Sequence, residues 1–243
     1  DRAGAEVAAL DLVVDRLAAF AVGSEEEDRM AVELMTRHGV PAEVAEALKE
    51  VTESYRDWGA PVRVTRPLPA DGRVTMGSRE YEVLHRPGHS PSDTLFWDPE
   101  RGLALAGDHL LSHISSNPLL SKPLDGSPGR TRALIDYEAS LRRTREMPIE
   151  LMLSGHGAPI TNHAELIEKR LASQERRTAK ILGLLGEGGR SAHSVAESIW
   201  GNIALTQAYL TLSEVIGHLD ILIERGQVRE ADRDGRTYFE VVA

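Results

Sequence analysis

Apolar residues at helical spacing dominate the first quarter of the chain. Residues 4–22 are rich in Ala, Leu and Val with interspersed charges, a composition that predicts a helix. A second helix is expected over 25–38, with Ser24 as its N-cap. A third is expected over 41–58, with Pro41 in the first helical position. The pattern therefore predicts a helical block at this end.

The apolar runs then become short and rich in β-formers. A Pro-, Gly- and Ser-rich loop over 120–130 is followed by a predicted helix over 131–146 and a buried strand over 149–153. Helices combined with strands indicate an α/β fold. Before that loop we expect strands in five segments, VRVTRPL, GRVTM, REYEVLHR, DTLFWD and LALAG.

Helical spacing returns in the last 80 or so residues. A long helix is predicted over 163–186, then a short one capped by Ser191 and a longer one ended by Gly226. Residues 227–242 predict a hairpin, with Asp234-Gly235 as a favourable two-residue turn. Three helices and a hairpin are the outline of a winged helix-turn-helix, so we expect a small winged-helix domain over 161–243.

Composition narrows the class of protein. The 243 residues suffice for one large domain, or one domain and a small one. The net charge of −10 argues against tight nucleic-acid binding, and the absence of cysteine excludes disulfides, Cys-based zinc sites and Cys nucleophiles. No apolar run approaches the roughly 20 residues of a membrane span. We expect a soluble cytoplasmic protein that does not engage a membrane.

Three candidate ligands each follow a β-rich segment and lie in a glycine-containing turn. They are His89 in HRPGHSPSD, Asp108 in LALAGDHLL and His156 in LMLSGHGAPI. Each alone is typical of an ordinary surface turn. Together, two imidazoles and a carboxylate at strand ends form a donor set suited to zinc, iron or manganese. The residues alone thus leave two interpretations, a metal site or three unrelated turns.

The same three motifs, in this order, closely resemble the metallo-β-lactamase superfamily. They are most similar to its hydrolases with a C-terminal winged-helix extension, a group that includes lactamase-beta-like endoribonucleases and resembles glyoxalase II. The resemblance covers about 62–243. It implies that His89 is the third histidine on one metal, Asp108 the carboxylate that bridges two metals, and His156 the histidine on the second.

The superfamily's defining His-x-His-x-Asp-His motif does not occur in this chain. We therefore expect that the preceding part of the protein is absent. The expected fold is an αββα sandwich without its N-terminal part, with 1–60 a helical insertion and 61–160 the second half of the sandwich, followed by the winged-helix domain. The usual catalytic Asp belongs to the missing motif, so no catalytic residue is assigned.

The resemblance implies a hydrolase with two zinc ions per complete site, iron or manganese being alternatives. Such a site activates water to cleave an ester, thioester, lactone, amide or phosphodiester. The substrate would be a small molecule or RNA, and a homodimer is expected. The alternative is a non-catalytic nucleic-acid-binding or regulatory protein that uses the winged helix. Against it, Arg225 is the only basic residue over 206–225.

Overall fold

The computed structural model describes residues 4–186 and 188–242. The strands are β1 Ala8–Leu10, β2 Arg66–Leu68, β3 Arg73–Met76, β4 Arg79–His85, β5 Thr94–Asp98, β6 Leu103–Gly107, β7 Leu151–Ser154, β8 Val228–Arg233 and β9 Arg236–Val241. The α-helices are α1 Val14–Ala18, α2 Phe20–Arg37, α3 Ala42–Ser54, α4 Ala133–Arg145, α5 His163–Leu185, α6 Ala192–Trp200, α7 Ile203–Thr206 and α8 Ala208–Glu224. None of the helices in this described part is long and apolar enough to cross a membrane.

The central sheet has five strands in the order β3-β4-β5-β6-β7. Neighbours pair antiparallel except β6 and β7, which are parallel. Side chains alternate between its two faces, as strand geometry requires. Leu95 and Trp97 pack on one face with residues of α4 and α5, whereas Tyr81 and Val83 on the other face pack with Leu10 of β1 and its neighbours. The sheet is thus covered on both sides.

Helix α8 lies at the centre of the remaining helices. Twelve of its residues are buried, including Leu212, Val215 and Ile216. These share one apolar cluster with Leu34 of α2 and Ala45 of α3, as well as with α5, α6 and the β8-β9 hairpin. The first helical block therefore packs against the C-terminal helices through a common core. The division of the chain near residue 160 stays a prediction.

The helix predicted over 4–22 is wrong in its first half. Residues Ala8–Leu10 form β1, which pairs in parallel with β2, and a short 3-10 turn then leads into α1. The pairing is supported by Thr65, whose N–H donates to the Val7 carbonyl at 2.9 Å. Alanine and leucine have helical propensity, but hydrogen bonds to a distant segment outweigh that weak preference.

The second helix begins earlier than predicted. It starts at Phe20, so Ser24 lies inside α2 and its hydroxyl donates to the Phe20 carbonyl at 2.8 Å, which rules out the predicted N-cap role. The third helix ends at Ser54, and Pro41 is its N-cap rather than its first residue.

The predicted C-terminal helices and hairpin agree with the structure, whereas the winged-helix domain stays a prediction. Ser191 caps α6, accepting a hydrogen bond from the Ser194 N–H at 3.2 Å. The β8-β9 hairpin turns at Asp234 and Gly235, whose φ angles of 52° and 76° suit a tight turn between antiparallel strands. The predicted helix over 131–146 and strand over 149–153 are also confirmed, as α4 and β7.

Candidate metal centre

The three candidate ligands emerge at one edge of the central sheet. β4 and β6 run in the same direction, because each pairs antiparallel with β5, and β7 is parallel to β6. Their C-terminal ends therefore lie at the same edge of the sheet, with the start of β5 between those of β4 and β6. The turn carrying His89 follows β4, Asp108 follows β6, and the turn carrying His156 follows β7. Strand direction alone explains how residues so far apart in sequence meet.

The candidate ligands converge on one carboxylate oxygen. The His89 Nε2 atom lies 3.9 Å from Asp108 Oδ2, and the His156 Nε2 atom lies 3.5 Å from the same oxygen. The Asp108 and His89 side chains are each 31% exposed, whereas that of His156 is 68% exposed. Within the described residues, no group of three or more His, Asp or Glu side chains is arranged to hold a metal by itself. The role of the three residues as metal ligands stays a prediction, but the structure does bring both histidine rings within 4 Å of Asp108.

The orientation of the His89 ring is fixed from its other side. Its Nδ1 lies 2.9 Å from the Asn117 carbonyl oxygen. A carbonyl only accepts, so Nδ1 carries the hydrogen, and in the neutral ring the lone pair is on Nε2, on the side of Asp108. A lone pair and a carboxylate that face each other repel unless a cation or proton lies between them. Metal-binding histidines have this same outer hydrogen bond, so the donor set fits a metal.

Glycines allow the close approach of the loops around Asp108. The Gly155 N–H donates to the Gly107 carbonyl at 2.6 Å, and a Cβ placed at Gly155 would lie 2.5 Å from Asp108 Oδ1. Gly157 has a φ of +86°, and a Cβ there would lie 2.7 Å from His113 Nδ1. A Cβ at either glycine of the GHG motif would therefore displace a neighbouring side chain, and the positive φ of Gly157 also favours glycine there.

The HRPGHSPSD segment is a loop braced by its own side chains. Ser90 donates to Asp93 twice, from its hydroxyl at 2.6 Å and its N–H at 3.1 Å. The His85 Nε2 lies 2.8 Å from the Pro91 carbonyl, so this ring is structural. Gly88 packs on α4, because a Cβ there would lie 2.5–2.7 Å from Tyr137. The Pro-Gly pair thus lets the loop lie against α4 and presents His89.

Two further histidines border this region. His109 is fully buried, with its Nε2 3.0 Å from the Thr144 hydroxyl. Burial, assisted by the positive charge of Arg86, lowers the pKa of His109 to about 3, so the ring is neutral and serves packing. His113 lies beside Gly157, next to the turn that carries His156.

Sequence reasoning missed the groups that support the ligands. The Asn117 carbonyl orients His89, and the Ser116 hydroxyl donates to the Asp108 carbonyl. A backbone carbonyl carries no side-chain signature, so nothing in the sequence distinguishes Asn117. The glycines that flank His156, by contrast, are visible in the GHG motif.

The fold is that of the metallo-β-lactamase superfamily, and the three candidate ligands lie at one edge of its sheet. The profile of the metallo-beta-lactamase superfamily matches residues 31–156. The chain belongs to this superfamily, as the three turn motifs predicted, and the predicted enzyme class, a metallohydrolase, is confirmed.

Two relatives are similar in sequence. The chain is 32% identical over 219 residues to the probable metallo-hydrolase YqjP of Bacillus subtilis (strain 168), covering 89% of this chain and 67% of that protein. It is 27% identical over 150 residues to the atrochrysone carboxyl ACP thioesterase of Aspergillus fumigatus (strain ATCC MYA-4609 / CBS 101355 / FGSC A1100 / Af293). This second match covers 61% of this chain and 42% of the relative.

Two solved structures are similar in fold. The metallo-beta-lactamase family protein TTHA1429 of Thermus thermophilus has a TM-score of 0.75 at 23% identity, covering 98% of this chain and 72% of that one. A beta-lactamase domain protein of Burkholderia ambifaria has a TM-score of 0.78 at 22% identity, covering 97% and 65%. These likenesses confirm the predicted metallo-β-lactamase fold.

Proposed function

We propose that this protein is a metal-dependent hydrolase in which His89, Asp108 and His156 contribute to a site for two metal ions. The observation that carries the proposal is the convergence of both imidazoles on Asp108 Oδ2, at 3.9 and 3.5 Å. Zinc suits this donor set, with iron or manganese as alternatives. When bound, such ions supply Lewis acidity and lower the pKa of water toward neutrality.

Each residue of this chain has a distinct part in the proposal. Asp108 would supply negative charge that favours the binding of cations near the two rings. His89 is held in one tautomer by Asn117, so its Nε2 lone pair is available to a metal. His156 is the most exposed of the three. The glycine-rich turns keep these groups at the sheet edge without a bulky neighbour.

The bond we favour is a carboxylic ester, thioester or lactone rather than a phosphodiester. The chain carries a net charge of −10, which disfavours a polyanionic substrate such as RNA. One similar protein is described as an ACP thioesterase. We therefore propose a small-molecule acyl substrate, and we keep the cytoplasmic location expected from the sequence.

The alternative function, nucleic-acid binding through the C-terminal domain, has weaker support. A winged helix reads nucleic acid with an exposed basic helix, whereas α8 is largely buried in the core. In the hairpin, Arg229 and Arg233 both pair with Glu240. We propose that residues 161–243 are a winged-helix-like unit that packs against α2 and α3 instead of reading nucleic acid.

The test measures metal content and hydrolysis on the full-length protein. We expect the wild type to retain zinc, iron or manganese through gel filtration and to hydrolyse simple thioesters and esters. His156→Gln and Asp108→Asn should lose both properties. The control is His193→Gln, because His193 lies in α6 and not in the three turns. A full-length protein that binds no metal in chelator-free buffer, but binds RNA in a salt-dependent way, would reverse the choice.

A further inference from the structure

A cavity adjoins the candidate metal centre on the side of the first helical block. It has a volume of about 320 Å³, and His89, Ser90 and Pro91 form part of its wall. The apolar side chains that line it come from α2, α3 and the segment that follows Asp108: Ala31, Val32, Met35, Leu48, Leu119 and Leu120. A candidate metal ligand, His89, thus forms part of the cavity wall, and many of the other lining side chains are aliphatic.

A second cavity of about 560 Å³ lies beside the first. The second is lined by Leu17, Phe20 and Tyr55, among others. The two have six wall residues in common, Arg16, Glu27, Asp28, Thr52, Ser90 and Pro91. The two cavities are therefore neighbours, and we call them together the α2-α3 groove.

The charged residues along the groove are matched by opposite charges. Arg16 pairs with Glu27, and Asp28 pairs with Arg56. Lys49 lies 3.6 and 3.7 Å from two glutamates of its own helix. Among the groove residues that the structure describes, each of these ions thus has a partner. An anionic ligand such as a phosphate would have to compete with those partners, whereas an alkyl chain would only displace water.

We propose that the α2-α3 groove binds the aliphatic acyl chain of the substrate, with the reacting carbonyl held beside His89. This inference rests on the proposed hydrolase function and specifies its substrate class, a medium-chain acyl thioester or ester. Hydrolysis forms a bond from the acyl carbon to the oxygen of water and breaks the bond to sulfur or oxygen. The leaving group takes a proton, so the products are a carboxylic acid and a thiol or alcohol.

The groove should make hydrolysis depend on chain length. Each methylene removed from water stabilises the bound state by about 0.8 kcal/mol, which is roughly a fourfold gain in kcat/KM. The substrates are the butanoyl, hexanoyl, octanoyl and decanoyl thioesters of one thiol, hydrolysed by the metal-loaded full-length enzyme. We expect kcat/KM to rise along the series until the groove is filled. Hydrolysis at one constant kcat/KM for all four would overturn the inference while leaving the proposed function intact.

Binding of the corresponding carboxylic acids, measured by calorimetry, separates the hypothesis that the groove binds an acyl chain from the hypothesis that the protein is a hydrolase. Affinity that rises with chain length supports the groove even if no thioester is cleaved, and the failure then belongs to the proposed function. Affinity that is absent or independent of length overturns the groove. Affinity that is absent or independent of length is also what we expect if a segment of the protein itself fills the groove.

A pair of matched variants locates the effect. Ala31→Trp places a large side chain in the groove, whereas Ala47→Trp places the same side chain at an exposed position of α3 outside it. We expect Ala31→Trp to hydrolyse the butanoyl substrate nearly as wild type does and to lose about tenfold or more on the decanoyl substrate. Ala47→Trp should keep the wild-type profile.

A second variant covers the case in which Ala31→Trp does not fold. Leu48→Ala enlarges the groove and should move the preferred substrate toward longer chains. Thermal unfolding of each variant establishes that the fold is intact. Identical chain-length profiles for the wild type and for every folded groove variant would overturn the proposal.

Discussion

Replacement of Gly155 by alanine tests the arrangement around Asp108 most directly. The added Cβ would lie 2.5 Å from Asp108 Oδ1, whereas ordinary contacts begin near 3.4 Å, so the carboxylate must move by about 0.9 Å. The atom that moves is the end of a side chain, so we expect a modest fold cost of about 1 kcal/mol. The ligand geometry, by contrast, is lost. Groups that orient metal ligands typically contribute about 10- to 100-fold in metal affinity, or roughly 1.4–2.8 kcal/mol.

Competitive titration of zinc against a chromophoric chelator measures this affinity on the full-length protein. Gly183→Ala is the matched control, because Gly183 lies in α5 and a Cβ there meets nothing within 4 Å. It should raise the free energy of unfolding by about 0.5–1 kcal/mol, as alanine does in a helix, and leave zinc affinity unchanged. A folded Gly155→Ala protein that binds zinc as tightly as wild type would refute the assigned position of Asp108.

Four further outcomes are expected. Asp108→Asn should lose most of its bound metal with an unchanged circular dichroism spectrum, and full metal content would contradict the ligand assignment. Gly88→Ala should lower the free energy of unfolding, measured in urea, by about 1–3 kcal/mol, because the added Cβ would meet both the backbone and the side chain of Tyr137 in α4. An unchanged free energy of unfolding would argue against the packing of this loop on α4. Arg130→Met should lower the free energy of unfolding by about 2–4 kcal/mol, because the buried Asp220 carboxylate loses two hydrogen bonds of 2.6 and 2.7 Å. The double variant with Asp220→Leu should recover much of this loss, and no recovery would contradict the explanation by an unpaired buried charge. Burial, and then the positive charge of Arg177, lowers the pKa of His218 to about 3. Between pH 3 and pH 6.5 the folded state therefore binds fewer protons than the unfolded chain, and the free energy of unfolding falls as the pH drops. At pH 5 the His218 ring should lower the free energy of unfolding by about 2 kcal/mol. In His218→Gln the midpoint of urea unfolding should therefore depend less on pH, and a variant with the same pH dependence as wild type would refute this role of His218.

The sequence determined the features that depend on neighbouring residues. A Pro-Gly pair, a Gly-Asp step and a Gly-His-Gly step each specify a turn within a few residues, so the positions of His89, Asp108 and His156 at strand ends could be predicted. The Ser191 cap and the Asp234-Gly235 turn were predictable for the same reason. The order of these local motifs was also sufficient to indicate the superfamily.

Tertiary structure decided whatever depends on distant parts of the chain. Ala8–Leu10 has the composition of a helix but forms a strand, because its backbone pairs with Arg66–Leu68 far along the sequence. The orientation of His89 depends on the Asn117 carbonyl, 28 residues away, and any residue type could have supplied that oxygen. The α2-α3 groove likewise exists only where helices and loops from separate segments meet. Local propensity is worth a fraction of a kcal/mol per residue, so non-local hydrogen bonds and packing outweigh it.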